Sequence, residues 1–154
     1  MKNDVKGTEI YKTDPLIKRW DYSLSYTHSY AQDSEFFKAL GRNVLLGSYC
    51  KQCNYKYGTY RKYCMYCGSE TADIELPLKG KIHTFTTCYY SGEPFMNDVP
   101  YTLILVEFEG IDSLFMSRLI NKNNTKISIG MGVMAKFKSL QKFDVNDVYF
   151  IPEL

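Results

Sequence analysis

Four cysteines in two Cys-x-x-Cys pairs constrain this chain more than any other feature. The stretch reads Cys50-Lys51-Gln52-Cys53, ten intervening residues, then Cys64-Met65-Tyr66-Cys67. Two such pairs at this separation place four thiolates around one tetrahedral zinc, with Zn–S distances of about 2.3 Å. Each pair predicts a tight turn whose backbone N–H groups point at sulfur. Such a turn favours a residue tolerant of left-handed backbone just after the second cysteine. Asn54 and Gly68 stand at those two positions. The alternatives are a pair of disulfides, four unrelated thiols, or an iron site. The charged N-terminus, Met1 to Tyr11, lacks the apolar run of a secretion signal, which argues against disulfides. The close spacing favours a small zinc ribbon over iron.

The rest of the chain divides around this ribbon. Residues 1–43 are expected to form a charged tail and a helical strap. A first short helix is predicted from Thr13-Asp14-Pro15 through Leu16, Ile17 and Trp20, because Pro suits a first turn. Residues 21–32 show no firm period and read as an extended connector. Asp33-Ser34 is expected to cap a second helix, Glu35 to Leu40, with Phe36, Phe37 and Leu40 on its apolar side and Gly41 at its end. Residues 44–75 are assigned to the zinc ribbon, with strands at Val44–Tyr49, Tyr55–Tyr60 and Glu70–Leu76. Its apolar content is low, so folding there is expected to depend on metal. Residues 76–154 read as all-β. Strands are predicted at Lys79–Tyr90, Tyr101–Phe108, Ile111–Ile120, Val133–Lys138 and Asp147–Ile151, with turn signals at Glu109-Gly110 and Gly130-Met131-Gly132. Five strands with glycine at the corners suit a small OB-type barrel. The fold class is therefore mainly β: short N-terminal helices, a rubredoxin-like ribbon and a five-stranded OB-fold barrel.

Composition narrows the function classes. Hydrophobic residues make up 45% of 154 residues, enough for a packed core. No segment approaches the roughly 20 apolar residues of a membrane span, so a cytoplasmic protein with reduced thiols is expected. The net charge is only +2, with 19 Lys/Arg against 17 Asp/Glu spread along the chain. A nucleic-acid surface needs a concentrated basic stripe to release counterions, and none is visible. The chain nevertheless contains 14 Tyr, nine Phe and one Trp, a composition favoured at interfaces.

Taken together, these elements resemble a known family. The motifs are the Phe36-Phe37-Lys38-Ala39-Leu40 helix end, the four cysteines, Gly80, Gly92-Glu93-Pro94-Phe95 with Val99-Pro100-Tyr101, the run Leu105 to Gly110, and Ile129-Gly130-Met131-Gly132-Val133. They are similar to those of zinc-ribbon plus OB-fold proteins, long grouped as a domain of unknown function and associated with acyl-CoA metabolism. The resemblance spans roughly residues 15–154. It implies a small accessory subunit bound to a thiolase-fold enzyme that makes or breaks carbon–carbon bonds in acyl-CoA thioesters. It also implies Zn2+ as cofactor and a CoA thioester bound jointly with the partner. The chain departs from many relatives in having Lys51, Met65 and Tyr60 near places where they carry proline.

Catalytic residues are not expected in this chain. Thiolytic cleavage needs a nucleophilic cysteine, a base and an oxyanion hole. Four of the five cysteines are assigned to metal. Cys88 is five positions after His83, an odd separation that puts the two on opposite faces of a regular strand. A four-thiolate zinc has no open position for water, which disfavours hydrolytic chemistry. Binding residues are more legible. Phe95, Pro100 and Tyr101, in a loop stiffened by two prolines, are candidate contacts for a partner or a pantetheine arm. Arg61 and Lys62 can face a CoA phosphate, or be merely solvated. Trp20, Tyr26 and Tyr30 can embrace a partner subunit, or pack on this chain's own ribbon. The competing function is a single-strand nucleic-acid-binding module, since zinc ribbons and OB barrels both serve that role through stacked aromatics.

Overall fold

The computed structural model describes residues 9–11, 17–19, 21–25, 27, 29–123 and 125–153. The chain opens with a two-stranded antiparallel ribbon, β1 (Glu9–Tyr11) and β2 (Ile17–Arg19), with Tyr11 opposite Ile17. This corrects the first predicted helix: Ile17–Arg19 is extended. The other residues of that expectation, from Thr13 to Leu16 and Trp20, lie outside the described residues. The physical reason is the double meaning of Thr13-Asp14-Pro15. Asp-Pro starts a turn as readily as a helix, and the flanking Ile10-Tyr11 and Ile17 are β-formers.

The second helix forms as expected. The described residues between 21 and 30 have no regular structure, a 3-10 turn covers Ala31–Asp33, and α1 follows at Ser34–Leu40 with Phe36, Phe37, Ala39 and Leu40 buried. Two details differ. Asp33 makes no side-chain cap, because the preceding 3-10 turn holds it in right-handed helical backbone, φ −79° and ψ −4°, where a capping residue is extended. Gly41 closes the helix in right-handed backbone, and the left-handed residue is Asn43, at φ 59°.

β3 (Leu46–Cys50) is the centre of a three-stranded sheet, flanked by β4 (Tyr55–Tyr57) and β5 (Ala72–Glu75), both antiparallel to it. The barrel comprises β6 (Lys79–Cys88), β7 (Tyr101–Glu107), β8 (Phe115–Leu119), β9 (Gly132–Phe137) and β10 (Val148–Pro152). It closes in the order β10-β8-β7-β6-β9, with β10 parallel to β8 and every other pair antiparallel. That one parallel pair and the closure are the OB arrangement expected. β8 shows why the barrel has an inside: Phe115, Ser117 and Leu119 are buried while Met116 is exposed, the alternation of a half-buried strand.

The helix, the ribbon base and the barrel share one apolar core. An aromatic spine runs through it, with Phe36 of α1 6.3 Å from Phe115 of β8, and Phe115 6.2 Å from Phe150 of β10. A seven-residue helix is too short to be stable alone, and this spine supplies the packing it lacks. The ribbon is joined to the barrel on a second front. The β7–β8 turn runs beside β4, where Asp112 N donates to Lys56 O at 2.9 Å and Lys56 N donates to the Asp112 carboxylate at 2.7 Å. Gly58 follows at the point of closest approach: a Cβ there would lie 2.5 Å from Ser113 O.

Candidate metal centre

The two knuckles bring Cys50, Cys53, Cys64 and Cys67 into one group, with all four sulfurs within 4.8 Å of one another. Local backbone explains how. Asn54 at φ 50° and Gly68 at φ 72° take the left-handed conformation expected of them. Each turn then directs an amide back at sulfur: Cys53 N to Cys50 Sγ at 3.4 Å, and Tyr66 N to Cys64 Sγ at 3.4 Å. Cys50 and Cys64 are buried, while Cys53 and Cys67 face outward.

The spacing fits a metal. A tetrahedron with Zn–S of about 2.3 Å has sulfur–sulfur edges of about 3.8 Å. Cys50 Sγ lies 3.6 Å from Cys67 Sγ, and Cys64 Sγ lies 3.8 Å from Cys53 Sγ. The electrostatics point the same way. Burial pushes the Cys64 thiol up, but hydrogen bonds from Tyr57 and from the Cys67 and Tyr66 amides outweigh it and hold the thiol at about 6. The neighbouring Cys67 sulfur, followed by burial, pushes Cys53 up to about 12. Four sulfurs this close cannot all ionise unaided, and a divalent cation at their centre removes the conflict.

The sequence reading missed one member of this site. Tyr57 is 1% exposed, and its hydroxyl lies 3.1 Å from Cys64 Sγ. Met65 N donates to the same hydroxyl oxygen at 3.2 Å, leaving the phenolic proton free to point at sulfur. Burial, then the Cys64 contact, pushes the Tyr57 hydroxyl up to about 12, so it stays a donor. The signal in the sequence was a tyrosine at the inward position of a strand between knuckles, hidden among 14 tyrosines. With Cys50 and Cys64, Tyr57 makes the ribbon's small buried cluster.

The other expected site residues fall in different places. Lys62 forms an ion pair with Glu70. The Arg61 guanidinium lies 4.6 Å from the centre of the Tyr57 ring. Tyr30 stacks on Phe37 of its own chain, with ring centroids 4.0 Å apart. Trp20 and Tyr26 lie outside the described residues. Phe95 and Tyr101 do converge, through a residue that sequence reasoning overlooked. Arg118 of β8 sits 4.2 Å from the Tyr101 ring centre and 5.4 Å from that of Phe95, and donates to Asp98 at 2.8 Å. A cavity of about 550 Å³ opens beside them, lined by Pro100, Tyr101, Arg118 and Lys122 among others. His83 is the extra residue of a β-bulge between Ile82 and Thr84; it is exposed and pairs with Glu107 at 3.1 Å. Cys88, at the end of β6, pairs in register with Tyr101 and is half-buried.

Comparison with known proteins places this architecture. Residues 73–138 match the model of the ChsH2 C-terminal OB-fold domain. A DUF35 domain-containing scaffold protein from Methanocaldococcus jannaschii is 27% identical over 103 residues, covering 66% of this chain and 72% of the relative. Among solved structures, an Ltp2-ChsH2(DUF35) aldolase has a TM-score of 0.63 at 21% identity, covering 78% of this chain and 93% of that one. A DUF35-family protein of unknown function from Sulfolobus solfataricus has a TM-score of 0.54 at 20% identity, covering 77% of this chain and 83% of that one. The two structures speak for the fold. Among the described residues, no helix is long and apolar enough to cross a membrane. The OB-fold match and the scaffold relative together support the family that the motifs resemble, that of the DUF35 and ChsH2 proteins.

Proposed function

We propose that this chain is a non-catalytic, zinc-holding accessory subunit of a thiolase-type acyl-CoA enzyme. The observation that carries this reading is the four-sulfur cluster, which commits four of five cysteines to a closed site with no position for a substrate. The fifth, Cys88, is half-buried at the end of β6, and His83 of the same strand is paired with Glu107 at 3.1 Å. Such a chain docks and shapes. The similarity to a scaffold protein supports that role, and so does the shared fold with an aldolase assembled from Ltp2 and ChsH2. The partner is a thiolase-fold protein, and the reaction is thiolytic carbon–carbon cleavage of a 3-oxoacyl-CoA. The extended N-terminus and the strap from Trp20 to Tyr30 resemble the small subunit of benzoylsuccinyl-CoA thiolase from anaerobic toluene degradation, and benzoylsuccinyl-CoA is the proposed substrate. Zn2+ would be held by Cys50, Cys53, Cys64 and Cys67, where it supplies a rigid cross-link. Phe95, Pro100 and Tyr101 form the proposed contact with partner or CoA, and Trp20, Tyr26 and Tyr30 the proposed strap contact.

The test is co-expression with a thiolase-fold protein from the same organism. Co-purification as one hetero-oligomer by mass measurement, with cleavage of benzoylsuccinyl-CoA only when both chains are present, is the expected outcome. A stable monomer that ignores the thiolase would overturn the proposal. Tight oligonucleotide binding with a steep salt slope would replace it with the single-strand-binding alternative.

A further inference from the structure

Arg61 is held more firmly than a solvated hairpin charge requires. Two buried hydroxyls are committed to its backbone: Ser48 Oγ donates to Arg61 O at 2.8 Å and accepts from Arg61 N at 2.8 Å, and Thr71 Oγ1 also donates to Arg61 O, at 2.5 Å. Ser48 is fully buried and Thr71 nearly so. The side chain is fixed as well. Its guanidinium lies 4.6 Å from the centre of the Tyr57 ring, and its Nε is buried with no hydrogen-bond partner in the protein. A cationic group that loses water and gains no acceptor is destabilising unless negative charge lies near. Among the described residues, no carboxylate forms an ion pair with it.

A source of negative charge lies at the Tyr57 hydroxyl. A zinc ion with four thiolates is a dianion overall, and the Tyr57 hydroxyl touches Cys64 Sγ at 3.1 Å. We infer that Arg61 is a positioning residue of the metal centre, acting through Tyr57: stacked on the ring, it strengthens the Oη–H···Sγ bond to the tetrathiolate. A cation over an aromatic face draws electron density from the ring, and a phenol so polarised is a stronger donor. Arginine suits this position better than lysine, because its flat guanidinium stacks and tolerates weak hydration. The inference rests on the reading of the cysteine cluster as a zinc site.

The test is a double-mutant cycle on the full chain, loaded with zinc for affinity and with Co2+ for spectroscopy. Zinc affinity is measured by competition with a chromophoric chelator. Arg61→Met is expected to weaken binding about 3- to 10-fold in the native background and less than about 2-fold in Tyr57→Phe, where no hydroxyl remains to polarise. The sulfur-to-cobalt charge-transfer band is expected to move to longer wavelength in Arg61→Met, since a thiolate with a weaker hydrogen bond donates more charge. Lys62→Met, which removes the neighbouring cation paired with Glu70, is expected to leave the band in place. Equal losses from Arg61→Met in both backgrounds, or an unmoved band, would overturn the inference. Should Arg61→Met fail to fold, Arg61→Gln takes its place in the same cycle with the same criteria. Failure of the native chain to bind zinc or Co2+ would instead remove the zinc reading itself.

Discussion

Replacing Tyr57 by Phe deletes one oxygen from the ribbon and leaves its packing in place. The ring keeps its contact with Tyr55, 4.7 Å between centroids, and its stack with Arg61. Two hydrogen bonds go: the one to Cys64 Sγ at 3.1 Å and the one from Met65 N at 3.2 Å. The Met65 bond is between neutral groups, so it contributes the smaller part of the loss. The bond to Cys64 is different. It is buried and its acceptor is a thiolate once metal is bound, so it falls in the range of about 1.5–3 kcal/mol for hydrogen bonds to charged groups. At about 1.4 kcal/mol per factor of ten, zinc affinity should fall about 10- to 100-fold, the range seen when a ligand's outer hydrogen-bond partner is removed elsewhere. Chelator competition at fixed pH measures it. Tyr60→Phe is the control, because that hydroxyl interacts with Asp73. A change below about twofold, or one matched by Tyr60→Phe, would refute the argument that Tyr57 holds Cys64.

Other perturbations separate the parts of the molecule. Cys50→Ser is expected to lose zinc and unfold the ribbon, whose own buried cluster is only Cys50, Tyr57 and Cys64 with Tyr55 against it; structural zinc supplies about 10–16 kcal/mol to such units. Metal analysis with near-ultraviolet circular dichroism reads this, and a Cys50→Ser chain that stays folded and still assembles would count against metal-dependent folding. Gly58→Ala forces a methyl to 2.5 Å from Ser113 O, where backbone on both sides must shift; a destabilisation of about 1–3 kcal/mol by denaturant melting is expected, and a neutral result would mean that the ribbon–barrel contact is loose. Asp147 is buried, and its carboxylate accepts Lys142 N at 3.0 Å and Asp144 N at 3.3 Å. Asp147→Ala leaves those amides unpaired and should cost about 1.5–3 kcal/mol, with loss of hydrogen-exchange protection centred on residues 138–147 as the diagnostic.

What the sequence disclosed here followed from how local each signal is. A knuckle is specified within five residues, so Asn54 and Gly68 could be assigned left-handed backbone in advance, and both have it. Barrel strands announce themselves as apolar and β-branched runs between glycine turns, and all five appear within a few residues of their expected bounds. Signals that depend on a partner distant in the chain were unreadable. Thr13-Asp14-Pro15 suits a helix start or a turn equally well, and the pairing of β1 with β2 between β-forming residues decides at Ile17–Arg19. Nothing in the sequence marks Arg118; its role comes from the 93–98 turn, which brings Phe95 and Asp98 to it. The same reasoning applies within the ribbon. Arg61 and Tyr57 are four residues apart, a spacing that says nothing in an extended segment. They meet where the buried hydroxyls of Ser48 and Thr71 both hold the Arg61 carbonyl. A site of this kind is therefore specified in two layers. The cysteines state which chemistry is present, and the residues that tune it are chosen by the strands that happen to lie behind them.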